Sequence, residues 1–277
     1  MTTRRITLCA DDYGISPGVN RGIRELIAMK RLNATSVMVV GPAVGRDEIE
    51  ALHDAVAQNP TCQIGLHTTL TAPFHPLTLG FRPLHGGLFL PLPTMLKTSL
   101  LRRLDGEMIR AEILAQLSAF TTLVGRAPDY LDGHQHVQIF PQVRDALLDA
   151  VKAAAPQAWV RQCGRAGSFS QRIGAPKALL LDALSAGFRK RATRAGVSVN
   201  PAFAGAYDFM KQSDFAALMT SFFARLPDGG LVMCHPGYVD NVLIALDPLT
   251  DQRQREYDYL ASDAFAALLA SEHVALA

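Results

Sequence analysis

The 277-residue sequence lacks an excess of either charge: 27 Lys and Arg face 25 Asp and Glu, for a formal net charge of +2. Without a strong field of one sign, nucleic acid is not an expected partner. The one local concentration, Arg189, Lys190, Arg191 and Arg194, reads as a solvated helix face. Long apolar runs are also missing. Residues 6–10 fall far short of the ~18 residues that cross a bilayer, and no signal-peptide pattern accompanies them. No integral membrane segment and a cytoplasmic location are expected. Cysteine is sparse: Cys9, Cys62, Cys163 and Cys234 make no CxxC pair, and each lies in or beside an apolar run. They read as reduced core thiols, not as a structural zinc site. With no fixed-period repeat, low-complexity tract or composition break, residues 1–277 are expected to form one domain.

What the chain has is an apolar β-α rhythm. Hydrophobic residues make up 49% and charged residues 19%, enough to bury a sizeable core. Short β-favouring runs, RITLCA, ATSVMVV, CQIGLH, DYLDGHQHV, AWVRQC and GGLVMCH, recur between helical patterns, and such runs suit a parallel sheet covered on both faces. Ile109, Ile113, Leu117, Phe120 and Val124 follow one another at steps of four, four, three and four, one stripe of an amphipathic helix. Further helices are expected over residues 17–29, 44–58, 142–154, 177–195, 214–224 and 251–270. The fold class is α/β with a mostly parallel central sheet. Two stretches break the rhythm. Residues 71–106 carry Pro73, Pro76, Pro83, Pro91 and Pro93 with Gly80, Gly86 and Gly87, too punctuated for regular elements and too apolar for a free linker. They are expected to be a packed functional loop. Residues 200–209, NPAFAGAYDF, have a similar mixture of small and aromatic residues.

Polar residues collect where a parallel α/β fold places its chemistry, at the carboxyl ends of strands. RITLCA runs into Asp11 and Asp12, CQIGL into His67, DYL into Asp132, Gly133 and His134, AWV into Arg161, and LVMC into His235. Any one such histidine is more often a satisfied core residue than a ligand, but here five strand ends agree. Burying these groups together without a counter-charge is costly, and a divalent cation offsets the charge. One Asp and two His leave positions for water and substrate, the pattern of a catalytic rather than a structural metal centre. Past Asp12, Tyr13-Gly14 reads as a turn, with Ser16 as a helix N-cap and Pro17 in the first turn. Neighbours on a strand point to opposite sides, so one aspartate is expected to bind the metal while the other addresses its water. In DGHQHV, alternation puts Asp132, His134 and His136 on one face. His134 is the best ligand there, Asp132 holds an imidazole or a substrate hydroxyl, and His136 is either a second ligand or, the favoured reading, packed or behind the ligands. His53, His75, His85 and His273 are weak candidates.

The set ADDYG, GLHTTLT, DGHQHV running into FP, and CHPG resembles the YdjC-type carbohydrate deacetylases, the family that includes chitooligosaccharide deacetylases and hopanoid-biosynthesis-associated deacetylases. The likeness spans nearly the whole chain, including the late DQRQREYDYL stretch. It implies a distorted β/α barrel and metal-dependent hydrolysis of an N-acetyl group on an amino sugar, with release of acetate. It implies Asp11 as catalytic base, Asp12, His67 and His134 as ligands of one divalent ion, Zn2+ or Mg2+, and His235 as general acid. Arg161 either orients Asp11 or binds the sugar, with a structural ion pair as the plain alternative. Gln135 and Gln138 stand where relatives often carry more histidines, a departure that touches the tuning of the site and not the ligands. The expected substrate is a small acetylated amino sugar or a glycolipid, chosen by residues 71–106 and 164–207, and a homo-oligomer is compatible with the composition. The sequence ends in HVALA, so a shortened last strand is expected. Two other readings use the same residues. A metal-dependent phosphoesterase is disfavoured by the histidines and by the lack of a phosphate-cradling glycine loop. A non-catalytic sugar-binding protein is disfavoured because the whole set Asp11, Asp12, His67, His134 and His235 is present.

Overall fold

The computed structural model describes residues 2–166, 176–209 and 214–276. Seven strands, β1 (Arg4–Tyr13), β2 (Ala34–Val37), β3 (Gln63–Thr68), β4 (Tyr130–Gly133), β5 (Trp159–Val160), β6 (Phe203–Ala204) and β7 (Leu231–Cys234), run parallel in the order β5-β4-β3-β2-β1-β7-β6. Six of them grow from the apolar runs. β6 lies inside residues 200–209, one of the two stretches that break the rhythm, and two residues are too few to leave a periodic trace. Cys9 pairs with Ala34 on one side and Met233 on the other, which puts β1 at the centre. The sheet curls until its two ends meet. The Phe203 N–H donates to the Gly164 carbonyl at 3.1 Å, and single bridges join Val160 to Val199 and Arg165 to Phe203. The result is a β/α barrel whose seam is irregular, as the resemblance implies. The HVALA segment forms β8 (Val274–Leu276), which pairs with residues 4–6 off the main path, so the seam lies between β5 and β6 and not at the last strand.

The helices are α1 (Pro17–Ala28), α2 (Arg46–Ala57), α3 (Leu92–Leu100), α4 (Gly106–Val124), α5 (Val143–Ala154), α6 (Pro176–Ala195), α7 (Phe215–Arg225), α8 (Asn241–Leu246), α9 (Asp251–Ala261) and α10 (Asp263–Ser271). Ser16 caps α1, accepting from the Val19 N–H at 3.2 Å, with Pro17 in its first turn. The helix expected over 251–270 is broken where Ser262 caps α10. The 71–106 segment is not all loop: it contains α3, which buries Met95 and Ser99. On α6, Lys190, Arg191 and Arg194 face solvent, whereas Arg189 donates to Gln162 Oε1 at 2.9 Å. All four cysteines are buried and none is disulfide-bonded. Among the described residues no helix is long and apolar enough to cross a membrane.

Two packing details position the site. Gly65 on β3 lies under the Tyr130 ring, and a Cβ there would sit 2.4 Å from the ring's Cζ. That ring cannot retreat, because it stacks on Trp159 at 4.5 Å and its hydroxyl meets Cys9 Sγ at 2.9 Å. The second detail is polar. α4 is capped by Asp105 and closed by Gly125 at φ 78, and its buried stripe carries Glu112 and Gln116 beside the expected apolar residues. Gln116 pairs with the backbone of Thr69 through both amide atoms, at 3.0 and 2.8 Å. Glu112 accepts from the Leu77 and Thr78 N–H groups at 3.0 and 2.9 Å and from the Thr78 hydroxyl at 2.6 Å. The chain leaving β3 is thereby fixed to a helix rather than left free.

Gly65→Ala is expected to destabilise the protein by about 1–3 kcal/mol through overpacking against a rigid ring, measured by urea unfolding; an unchanged midpoint would contradict the packing described. Glu112→Ala is expected to cost about 1–3 kcal/mol from stranded donors and to speed proteolytic cleavage between residues 71 and 90, read by mass spectrometry of the fragments.

Candidate active site

Asp11 and Asp12 sit near the end of β1, 2% and 1% exposed. A straight strand would turn their carboxylates to opposite faces. Instead the pairing of β1 with β2 slips between Ala10 and Tyr13, and Asp12 takes φ 68, in the left-handed region. The bulge delivers both side chains to one cluster, and the expectation of opposed side chains gives way to it. What separates the two aspartates is their partners.

Asp11 is gripped by Arg161, which lies just past β5, through two hydrogen bonds of 2.7 and 2.6 Å. Burial alone would raise the Asp11 carboxyl, but this guanidinium holds it well below the usual carboxylate range. Arg161 also pairs with Asp132 and is fully buried. Its guanidinium thereby ties the two carboxylates together. Asp12 divides its oxygens. Oδ1 lies 3.2 Å from His67 Nε2 and 3.0 Å from His134 Nδ1, while Oδ2 accepts from Arg253 Nη2 at 2.6 Å. Here too burial is overcome, by Arg253 and His134, and the carboxyl lies well below its ordinary value. Arg253 is fully buried on α9 and also holds Asp247 at 2.7 Å. Beside the divalent cation expected from the sequence, the structure supplies two guanidiniums, one for each aspartate.

Four carboxylates, Asp11, Asp12, Asp132 and Asp247, share Arg161 and Arg253, so negative charge is in excess around His67. Burial lowers its proton affinity, but Asp132 and Asp11, with the hydrogen bond that its ring donates to Asp12, push it up to about 10. Asp12 and Asp132 on its two nitrogens favour the protonated ring, and a divalent ion held at Asp12 would compete with that proton.

The donor set fits a divalent ion. One atom each from Asp12, His67 and His134 lies within 4.8 Å of the others. A carboxylate with two imidazoles is a set taken by zinc and by other divalent metals. Ligand distances of ~2.0 Å at tetrahedral angles put donors about 3.3 Å apart, close to the separations from Asp12 Oδ1. His67 Nδ1 is occupied by Asp132 Oδ1 at 2.6 Å and faces Ser36 Oγ at 3.1 Å, which leaves Nε2 toward Asp12.

The third motif differs from its expected shape. β4 ends at Gly133, and residues His134–Ile139 form a 3-10 turn with Gln135 at φ 54 and His136 at φ 60. The strand alternation that would put His136 beside His134 is absent. His136 instead meets Phe203 edge-on at 5.5 Å and lies 3.5 Å from Cys163 Sγ; burial, with Arg161, pushes its pKa down to about 3. His235 follows β7, with Nε2 4.0 Å from Asp12 Oδ2. Burial lowers its pKa while Asp12 pulls it back up. Phe74 stands edge-on to His134 at 5.6 Å, and Phe209 edge-on to His235 at 5.1 Å.

The structure thus gathers Asp11, Asp12, His67, Asp132, His134, Arg161 and His235 at the carboxyl end of the barrel and leaves His136 to one side. Sequence reasoning missed Arg253 and Glu256, both fully buried on α9. Their signal is the DQRQREYDYL stretch, whose inward stripe is polar.

The family profile described as YdjC-like protein matches residues 5–271. A chitooligosaccharide deacetylase of Serratia marcescens is 30% identical over 269 residues, 94% of this chain and 92% of that protein. A human carbohydrate deacetylase is 33% identical over 153 residues, 54% of this chain and only 46% of that protein, so that match spans about half the relative's length. In fold, the crystal structure of an Enterococcus faecalis protein named for cellobiose-phosphate cleavage superposes with a TM-score of 0.74 over 100% of this chain and 97% of that one, at 22% identity. With the profile running through every strand that carries a site residue, the chain belongs to the YdjC-like protein family.

Proposed function

We propose that this protein is a metal-dependent carbohydrate deacetylase that hydrolyses the N-acetyl group of an amino sugar and releases acetate. The observation that carries the reading is the single oxygen of Asp12 set 3.2 and 3.0 Å from two imidazoles, with an ionised Asp11 next to it in the chain and His235 near its other oxygen. The deacetylase names of the Serratia and human relatives support the same chemistry.

An acetamide needs an activated water, a polarised carbonyl and a proton for the departing nitrogen. A divalent ion, Zn2+ or Mg2+, held by Asp12, His67 and His134 supplies the first two by lowering the pKa of a water and drawing charge from the carbonyl. Asp11, kept ionised by Arg161, accepts the water's proton with the lone pairs that the guanidinium leaves open. Asp132 fixes the His67 ring through Nδ1 and so keeps Nε2 on the ligand side. His235 gives a proton to the leaving amine. Burial lowers its proton affinity while Asp12 beside it pulls the other way. Residues 71–106 and 164–207 select the saccharide; Phe74 of the first segment already touches His134, while residues 167–175 of the second lie outside the described residues.

Asp11→Asn is expected to lower acetate release from N-acetylated chitooligosaccharides by about 10²–10⁴-fold with the metal content unchanged, whereas His67→Ala is expected to lose the metal itself, both read by elemental analysis of dialysed protein beside the assay. Near-normal turnover by Asp11→Asn would refute its role as base. Chelation is expected to abolish turnover in the parent protein, and the divalent ion that restores it identifies the metal; full activity after chelation would end the metal-dependent reading.

A further inference from the structure

The three imidazoles of the site are not held alike. His67 is fixed by Asp132 at 2.6 Å through Nδ1, and His134 turns its Nδ1 to Asp12 Oδ1 at 3.0 Å, the separation of two donors to one ion. His235 Nδ1 is buried with no hydrogen-bond partner among the described residues, and Nε2 lies 4.0 Å from the nearest oxygen of Asp12. A ring without a fixing hydrogen bond must be aimed by its main chain and by its packing.

Both lead to Glu256. The His235 N–H donates to Glu256 Oε2 at 2.5 Å. The other carboxylate oxygen accepts the Tyr207 hydroxyl. The Tyr207 ring packs on Phe209 at 4.2 Å, and the Phe209 edge meets the His235 ring at 5.1 Å and 88°. The contacts close a circuit: main chain at 235, Glu256, Tyr207, Phe209, and back to the imidazole. Glu256 is fully buried, and burial raises it to about 7. Satisfying one strand-end N–H does not require an ionisable group at such desolvation cost. One helical turn earlier, Arg253 reaches Asp12 from the same face of α9. That helix therefore touches both the metal-ligand carboxylate and the mount of the acid.

We propose that Glu256, acting with Tyr207, is the positioning residue of His235, setting the main chain and the Phe209 wall that hold the imidazole for proton delivery to the departing amine. The proposal rests on the hydrolytic reading above, with His235 as general acid. Glu256 touches no reacting atom and acts through His235 alone.

The test is a double-mutant cycle on acetate release from an N-acetylated chitooligosaccharide. Glu256→Ala is expected to lower kcat by about 10²-fold, the scale of a general acid's contribution, with KM and metal content little changed. Glu256→Gln keeps an acceptor for the His235 N–H and is expected to recover most of that loss. Tyr207→Phe keeps the packed ring and is expected to show a smaller loss of the same kind, so the test survives if Glu256→Ala does not fold. In a His235→Ala background, neither change is expected to lower kcat further, because residues acting through one group are not additive. Equal losses with and without His235, or an effect on KM alone, would overturn the proposal. If the parent protein releases no acetate, the hydrolytic reading fails by itself. Positioning is then read from imidazole ¹⁵N resonances: a His235 signal that shifts or broadens in Tyr207→Phe while those of His53 and His273 stay put supports it, and an unchanged signal refutes it.

Discussion

The site depends on one electrostatic constraint: two adjacent carboxylates, almost wholly withdrawn from water, must both stay ionised. Two buried guanidiniums meet it from two different elements, Arg161 from the end of β5 and Arg253 from α9. The two pairings are unlike, and the difference makes neighbouring aspartates chemically distinct. Arg161 binds both oxygens of Asp11 in a fork, which fixes its orientation and depresses its basicity together. Arg253 binds one oxygen of Asp12 and leaves the other to His67 and His134. One aspartate is committed to an arginine; the other has an oxygen available for a cation.

The same arginine carries the constraint further. Arg161 joins Asp11 to Asp132, and Asp132 orients His67, so the proposed base and the proposed ligand share one buried network. Networks of this kind are strong when every member is satisfied and fail together when one is removed. Their support is correspondingly tight: Tyr130, wedged over Gly65 and stacked on Trp159, meets Cys9, which also receives Arg161 Nη2 at 3.0 Å. Packing beneath the site and hydrogen bonding within it are continuous.

Much of this is legible in the sequence because apolar runs that end in ionisable residues are rare by chance and have one natural place in a parallel barrel. Asp11, Asp12, His67, Asp132, His134, Arg161 and His235 all announce themselves that way. The features that stay hidden are those set by a single residue's backbone or by distant contact. The bulge at Asp12 changes one register step and leaves no periodicity. DGHQHV has the alternation of a strand, yet its last part coils because Gln135 and His136 take left-handed backbone angles, a choice made by tertiary packing. α3 escapes notice because prolines near its start read as loop punctuation, although proline is tolerated in a first helical turn.

α9 gives the sharper lesson. Its inward residues, Gln252, Arg253, Glu256 and Leu260, fall on one helical stripe, but three of the four are polar, so a search for apolar periodicity passes over it. A helix that buries a polar stripe cannot be packing against an ordinary core, because each buried group needs a partner of matching chemistry. Such a stripe faces other polar groups that are also withdrawn from water, and in a barrel those gather at the strand ends. Polar residues at helical spacing, beside a chain already rich in strand-end carboxylates and imidazoles, point to the second wall of the site. Here that wall holds Asp12 with one residue and the main chain of His235 with the next inward residue along the stripe.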